Sequence, residues 1–136
     1  MENGLSVLTK NEVSLIMKNG LGELIKPLHQ EVFLYDSYVA GTTYVKDRSV
    51  FDELGEDDEL ILQREPDNKF DENAILLFDK KKRKVGYVPE KDNPVFARLM
   101  DAGKMIKARI RNVETDISSS GAIYTRVDIS LFLIDF

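Results

Sequence analysis

From Ile123 to Leu133 the chain alternates with a period of two. Ile123, Thr125, Val127, Ile129, Leu131 and Leu133 fall on one face, and Tyr124, Arg126, Asp128 and Ser130 fall on the other. Such a pattern fits a strand with one buried face and does not fit a helix. Ile106, Ala108 and Ile110 alternate in the same way with Lys107, Arg109 and Arg111. Further strand-length runs are expected at 59–64, 73–78 and 84–88, with the lysine-rich run 80–84 as the tip of a hairpin. Val32–Tyr35 and Tyr38–Ala40 read as one long or bent strand ending at Gly41. Gly41, Gly86, Gly103 and Gly121 punctuate these runs. Many short antiparallel strands favour closure into a small barrel, which removes exposed sheet edges. The fold class is therefore mainly β with α insertions.

Two helical patterns interrupt the β signal. Pro89 and Asp92 precede Val95, Phe96, Leu99 and Met100, and Gly103 ends the run, giving a helix near 91–102. Val50–Gly55 reads as a short helix stopped by glycine. Residues 1–30 read as a separate helical extension. Thr9 and Glu12 have the spacing of a capping box, and Leu21, Leu24, Ile25 and Leu28 make an apolar stripe beyond Gly20. The domain organisation is thus a helical extension, 1–30, and a β-barrel domain, 31–136.

The chain has 136 residues, no cysteine and a net charge of -5. Disulfides and thiolate metal sites are excluded, and an intracellular, cytoplasmic setting is expected. No apolar run approaches the ~18 residues that read as a membrane-spanning helix. The acidic balance argues against a protein that coats DNA through a broad basic surface. Binding to nucleic acid would need a local site, with nucleoid association following from it.

Gln63–Ile75 packs turn formers, an aromatic and acids between two apolar strands, the setting in which binding residues tend to sit. This segment is similar to part of the HIRAN domain family, a module of fork-remodelling ATPases that also occurs as a standalone bacterial protein. The matching blocks are Val39-Ala40-Gly41-Thr42-Thr43-Tyr44, Leu60-Ile61-Leu62-Gln63-Arg64-Glu65-Pro66 and Asn68-Lys69-Phe70-Asp71-Glu72-Asn73-Ala74-Ile75. Val85-Gly86-Tyr87-Val88-Pro89 and Phe96-Ala97-Arg98-Leu99-Met100 follow in order. The resemblance covers roughly 31–136. It implies an OB-like barrel that captures the 3′ end of single-stranded DNA in repair or replication-fork processing.

Carried over by motif position, the resemblance makes Tyr44 and Phe70 the aromatics that stack on terminal bases and Asp71 the contact to the free 3′-hydroxyl. Tyr124 corresponds to a further aromatic on the last strand. The chemistry is coherent, because a carboxylate accepts a hydrogen bond from a hydroxyl and repels a terminal phosphate. Arg64, Lys46, Lys69 and Arg126 are candidate phosphate contacts, chosen for charge and expected proximity. Lys69-Phe70 stands where the family usually has proline and tyrosine, and Thr43 stands where an arginine flanks the first aromatic.

From the residues alone, other readings stay open. Tyr44 and Phe70 also fit core or rim packing. Asp71 and Asn73 also fit turn residues that bond their own backbone. The run 80–84 fits a solvated hairpin tip. Pro66-Asp67 with Asp79-Lys80-Lys81 loosely matches a Mg-dependent nuclease pattern. A protein-interaction module that docks onto a helicase or nuclease, without gripping DNA, is the main alternative. His29 has no paired base or nucleophile, so no catalysis, metal or cofactor is expected.

Overall fold

The structure, a computed structural model, describes residues 30–135. The helical pair expected over 1–29 lies outside the described residues. The chain divides into two units, Phe33–Leu133 and a second comprising 1–32 with 134–136. The larger unit contains the hydrophobic core.

The elements are β1 (Gln30–Tyr38), β2 (Glu59–Arg64), β3 (Ile75–Phe78), β4 (Lys84–Tyr87), α1 (Asn93–Asp101), β5 (Met105–Ile117) and β6 (Ile123–Asp135). They form one six-stranded sheet in the order β1-β6-β5-β2-β3-β4. β2 pairs antiparallel with β3, placing Ile61 opposite Phe78, and with β5, placing Leu60 opposite Ala108. β3 and β4 pair antiparallel with a register shift between Leu77 and Phe78.

The sheet curls because the chain beyond β1 changes partner. Val39 N donates to Val127 O of β6 at 2.9 Å. One residue later, Ala40 exchanges a pair of hydrogen bonds with Tyr87 of β4, at 2.8 and 2.9 Å. The far edges of the sheet therefore meet, giving a half-barrel where the alternation predicts a small barrel and the family resemblance implies an OB-like one. Gly41 follows with φ +76°, a conformation that favours glycine, and turns the chain out of the sheet.

The inward faces supply the core. Leu60, Ile75, Leu77, Ile110, Ile129 and Leu131 are fully buried. Each such side chain contributes about 1.5–3 kcal/mol relative to exposure. The expected face of β6 holds for Thr125, Val127, Ile129 and Leu131, all buried, but Ile123 at the strand's start is 66% exposed and Leu133 is only half-buried while Ile134 is buried. Ser130 departs as well. It lies on the opposite face yet is buried, and its hydroxyl donates to Asp36 Oδ1 of β1 at 2.5 Å.

Other boundaries move for identifiable reasons. The short helix expected at Val50–Gly55 is a 3-10 turn, Arg48–Asp52, whose N-terminus is capped by Asp47 accepting from Ser49 N. β3 begins at Ile75 because Ala74 N is committed to the preceding turn, donating to Asp71 O at 3.1 Å. α1 buries Phe96 and Ala97. It ends at Gly103, φ +90°, where Lys104 N donates back to Leu99 O at 3.0 Å. Asp92 gives the helix no side-chain cap; it accepts instead from Ser37 Oγ at 2.8 Å.

Candidate functional site

The loop between β2 and β3 is organised by its own polar side chains. Asn68 Oδ1 accepts from Phe70 N at 2.9 Å and from Asp71 N at 3.0 Å, while Asn68 Nδ2 donates to Glu65 Oε1 at 2.5 Å. Tyr87 Oη donates to the same Glu65 oxygen at 3.2 Å. Burial, reinforced by the Glu65 charge, pushes the Tyr87 hydroxyl above its ordinary pKa. Asp71 Oδ1 accepts from Asn73 N at 2.9 Å, and Asp71 Oδ2 accepts from Asn93 Nδ2 of α1 at 2.7 Å. This loop holds Phe70 out in solvent, 94% exposed. An aromatic ring so held contributes nothing to the core.

Phe70 borders a shallow cleft of about 290 Å³, whose walls include Gly41, Asp71, Tyr87, Glu90 and Asn93. Tyr44 stands at its Gly41 end. A Cβ on Gly41 would lie 3.9 Å from Tyr44 Cδ2 and 4.0 Å from Tyr87 Cδ2. Tyr44 itself is 85% exposed. The 3-10 turn Thr42–Tyr44 is pinned to β6, because Thr42 Oγ1 donates to Thr125 O at 2.7 Å. The Arg48 guanidinium donates to Thr42 O and also reaches Thr125 Oγ1 at 3.3 Å. Tyr124, the neighbour of Thr125, is 36% exposed, and its hydroxyl lies 3.5 Å from Asp116 Oδ2. The tertiary structure thus brings Phe70 and Asp71 to one cleft, with Tyr44 next to Gly41 at its edge, while Tyr124 contacts Asp116 on the neighbouring strand.

The candidate cations separate into different situations. Arg64 serves the scaffold. Its side chain is 13% exposed, its Nε lies 2.9 Å from Asp101 Oδ1, and its terminal nitrogens donate to Ala74 O at 2.7 Å and Glu72 O at 3.0 Å. It anchors the loop rather than facing the cleft. Arg126 pairs with Asp128 at 3.0 Å on the surface. Lys46 and Lys69 are exposed. Among the described residues, no lysine or arginine lines the cleft.

Sequence reasoning did not single out Asn68, Tyr87, Lys84 or Asn93 for the site. Lys84 Nζ lies 4.7 Å from the centre of the Tyr87 ring, which lines the cleft. The Asn68-x-x-Asp71-x-Asn73 run carries a turn signal that marks the loop, but nothing local links Asn93 to a loop 22 positions earlier.

The second acid of the loosely nuclease-like pattern is occupied by the backbone of its own hairpin. Asp79 accepts from Lys81 N, Arg83 N and Arg83 Nε at 2.8–3.0 Å, and is the cap of the β3–β4 hairpin. Asp79 is not among the residues lining the cleft. Among the described residues, no group of three or more His, Cys, Asp or Glu side chains is arranged to hold a metal ion. Nor is any described helix long and apolar enough to cross a membrane.

A curled antiparallel sheet, closed by a glycine-dependent bridge and bearing exposed aromatics around a cleft, defines a small OB-like domain. The HIRAN domain family model matches residues 32–130, and the chain belongs to that family. It is similar to the crystal structure of a protein from Lactobacillus plantarum, with 25% identity and a TM-score of 0.69 over 79% of this chain and 99% of that one. It is also similar in fold to the crystal structure of the HIRAN domain of human HLTF, with 18% identity and a TM-score of 0.59 over 78% of each chain. No curated protein matches the sequence significantly.

Proposed function

We propose that this chain is a non-catalytic module that captures single-stranded DNA by its 3′-hydroxyl end. Tyr44 and Phe70 supply stacking faces for the terminal bases, and Asp71 accepts the hydrogen bond of the 3′-hydroxyl. The observation that carries the reading is the Phe70 ring, 94% exposed, in one cleft with the tethered Asp71 carboxylate, and a second ring, Tyr44, 85% exposed, next to Gly41 of that cleft. Stacking on side-chain rings tolerates any base and is worth about 1–3 kcal/mol per base. A cleft walled by Asp71 and Glu90, with no cation among the described residues that line it, disfavours a terminal phosphate and tolerates a hydroxyl.

Phosphates upstream of the terminal nucleotide fall to cations outside the cleft. Lys46 and Lys69 suit this role best, because both are exposed. Arg126 and Tyr124 of β6 are the further candidates for contacts upstream of the terminal nucleotide. With few phosphates neutralised and a net charge of -5, binding is modest and falls with salt. Capture of 3′ ends places the module in DNA repair or fork processing inside the cell, serving a helicase or nuclease that acts on the same end.

The test is fluorescence anisotropy with three short oligonucleotides: one with a free 3′-hydroxyl, one with a 3′-phosphate, and one with its 3′ end closed in a hairpin. The hydroxyl form is expected to bind tightest. Equal binding of all three removes end recognition. No binding at low salt removes DNA as the ligand and turns the acidic cleft toward a protein partner.

A further inference from the structure

We infer that Asn93 is a positioning residue for end recognition, retained for the sake of Asp71 rather than for the fold. The inference rests on the reading of Asp71 as the acceptor of the 3′-hydroxyl. Asn93 opens α1, is 2% exposed and lines the cleft. Its Nδ2 donates to Asp71 Oδ2 at 2.7 Å, while its Oδ1 is buried without a hydrogen-bond partner. The amide orientation is dictated by chemistry, because an ionised carboxylate offers only acceptors and the nitrogen must face it.

A buried carbonyl without a donor opposes folding, by an amount comparable to what one hydrogen bond to a charged group contributes. An alanine at this position would carry neither. For the fold, the asparagine amide is therefore close to neutral. What it does provide is a second fixed donor on the carboxylate. Asn73 N holds Oδ1 and Asn93 Nδ2 holds Oδ2, so the carboxylate cannot rotate. Each oxygen keeps a lone pair for an incoming hydroxyl. The contact also ties the start of α1 to the loop that presents Phe70. Fixed acceptors of this kind lower the ordering cost of binding and sharpen selection between a donor end and a phosphate end.

The experiment is a double-mutant cycle of Asn93→Ala and Asp71→Ala, read by melting and by anisotropy with 3′-hydroxyl and 3′-phosphate oligonucleotides. Asn93→Ala is expected to melt within about 2 °C of the parent and to reduce the preference for the hydroxyl end about fivefold. In the Asp71→Ala background, Asn93→Ala should add nothing to that loss. A melting temperature lowered by more than about 5 °C, or failure to fold, overturns the inference and makes Asn93 a structural residue. A preference left intact, or additive losses in the cycle, overturns it equally. Should the parent protein itself show no preference between the two ends, the reading of Asp71 fails and this inference falls with it.

Discussion

Gly86 lies so close to Ala40 that no side chain fits between them. A Cβ on Gly86 would stand 2.4 Å from the Ala40 carbonyl oxygen and 2.5 Å from Val39 Cγ1. This contact is the closure point of the curled sheet, where Ala40 and Tyr87 exchange their hydrogen bonds. Both clashing groups are backbone or buried core, so neither moves without disturbing its neighbours. Gly86→Ala is expected to destabilise the protein by about 1–3 kcal/mol, the usual cost of overpacking. Urea unfolding measures it. A variant as stable as the parent would mean that the sheet does not need this approach. The cleft should suffer as well, because Gly41 and Tyr87 flank the same bridge.

Phe70→Ala and Tyr44→Ala separate affinity from stability. Both rings are largely in solvent, so their removal should leave the melting temperature nearly unchanged. Each should weaken single-stranded DNA binding by about 1–3 kcal/mol, the worth of one stacked base. Paired melting and anisotropy measurements check the two halves of the statement. A large drop in melting temperature would make either ring a packing residue.

Arg64 and Lys69 should behave oppositely, although both are cations of the same loop region. Arg64 is tied to Asp101, Ala74 and Glu72. Arg64→Ala should therefore lower stability by about 0.5–1.5 kcal/mol, because the loop loses its ties to Asp101 and Glu72 and the Ala74 carbonyl keeps only Glu65 N as a donor. Lys69→Ala and Lys46→Ala should spare stability. Each lysine that neutralises a phosphate should lower the slope of log affinity against log salt by about 0.7 when removed. A salt titration of each variant decides the assignment.

The β3–β4 hairpin should respond to acid. Burial pushes the Asp79 carboxyl up, but the backbone amides of Arg83 and Lys81 and the Arg83 guanidinium outweigh it and hold the group below its ordinary 3.8. A depressed folded-state pKa stabilises the fold above the unfolded value, and that contribution is lost as pH falls through the folded value. Asp79→Asn should thus be less stable than the parent at pH 7. The gap should begin to narrow as pH drops below 3.8 and close at still lower pH. Melting temperatures of both proteins from neutral to strongly acidic pH provide the check. A gap that stays constant would show that charge on Asp79 plays no part.

Much of the strand set was legible because burial on one face leaves a period of two in the sequence. Leu60 and Leu62 of β2, and Val127, Ile129 and Leu131 of β6, show that period and are buried. Ser130 broke it, since a hydroxyl that finds Asp36 can be buried where an unpaired one could not. The exposed rings were harder to place. Tyr44 and Phe70 read equally well as packing residues, because propensity does not distinguish a ring in the core from one held in water.

The sequence by itself determined the alternation, the turn residues around Asn68 and Asp71, and the family to which the chain belongs. Each of these is carried by neighbours along the chain or by ordered blocks of residues. Only the tertiary structure decided which polar groups meet. It committed Arg64 to Asp101, 37 positions away, and removed it from the cleft. It brought Asn93 to Asp71, 22 positions away, and left the amide oxygen of Asn93 buried and unpaired. Such pairings depend on how the sheet curls and where the helix lands. A local periodicity fixes which face is buried but carries no information about the partner waiting there.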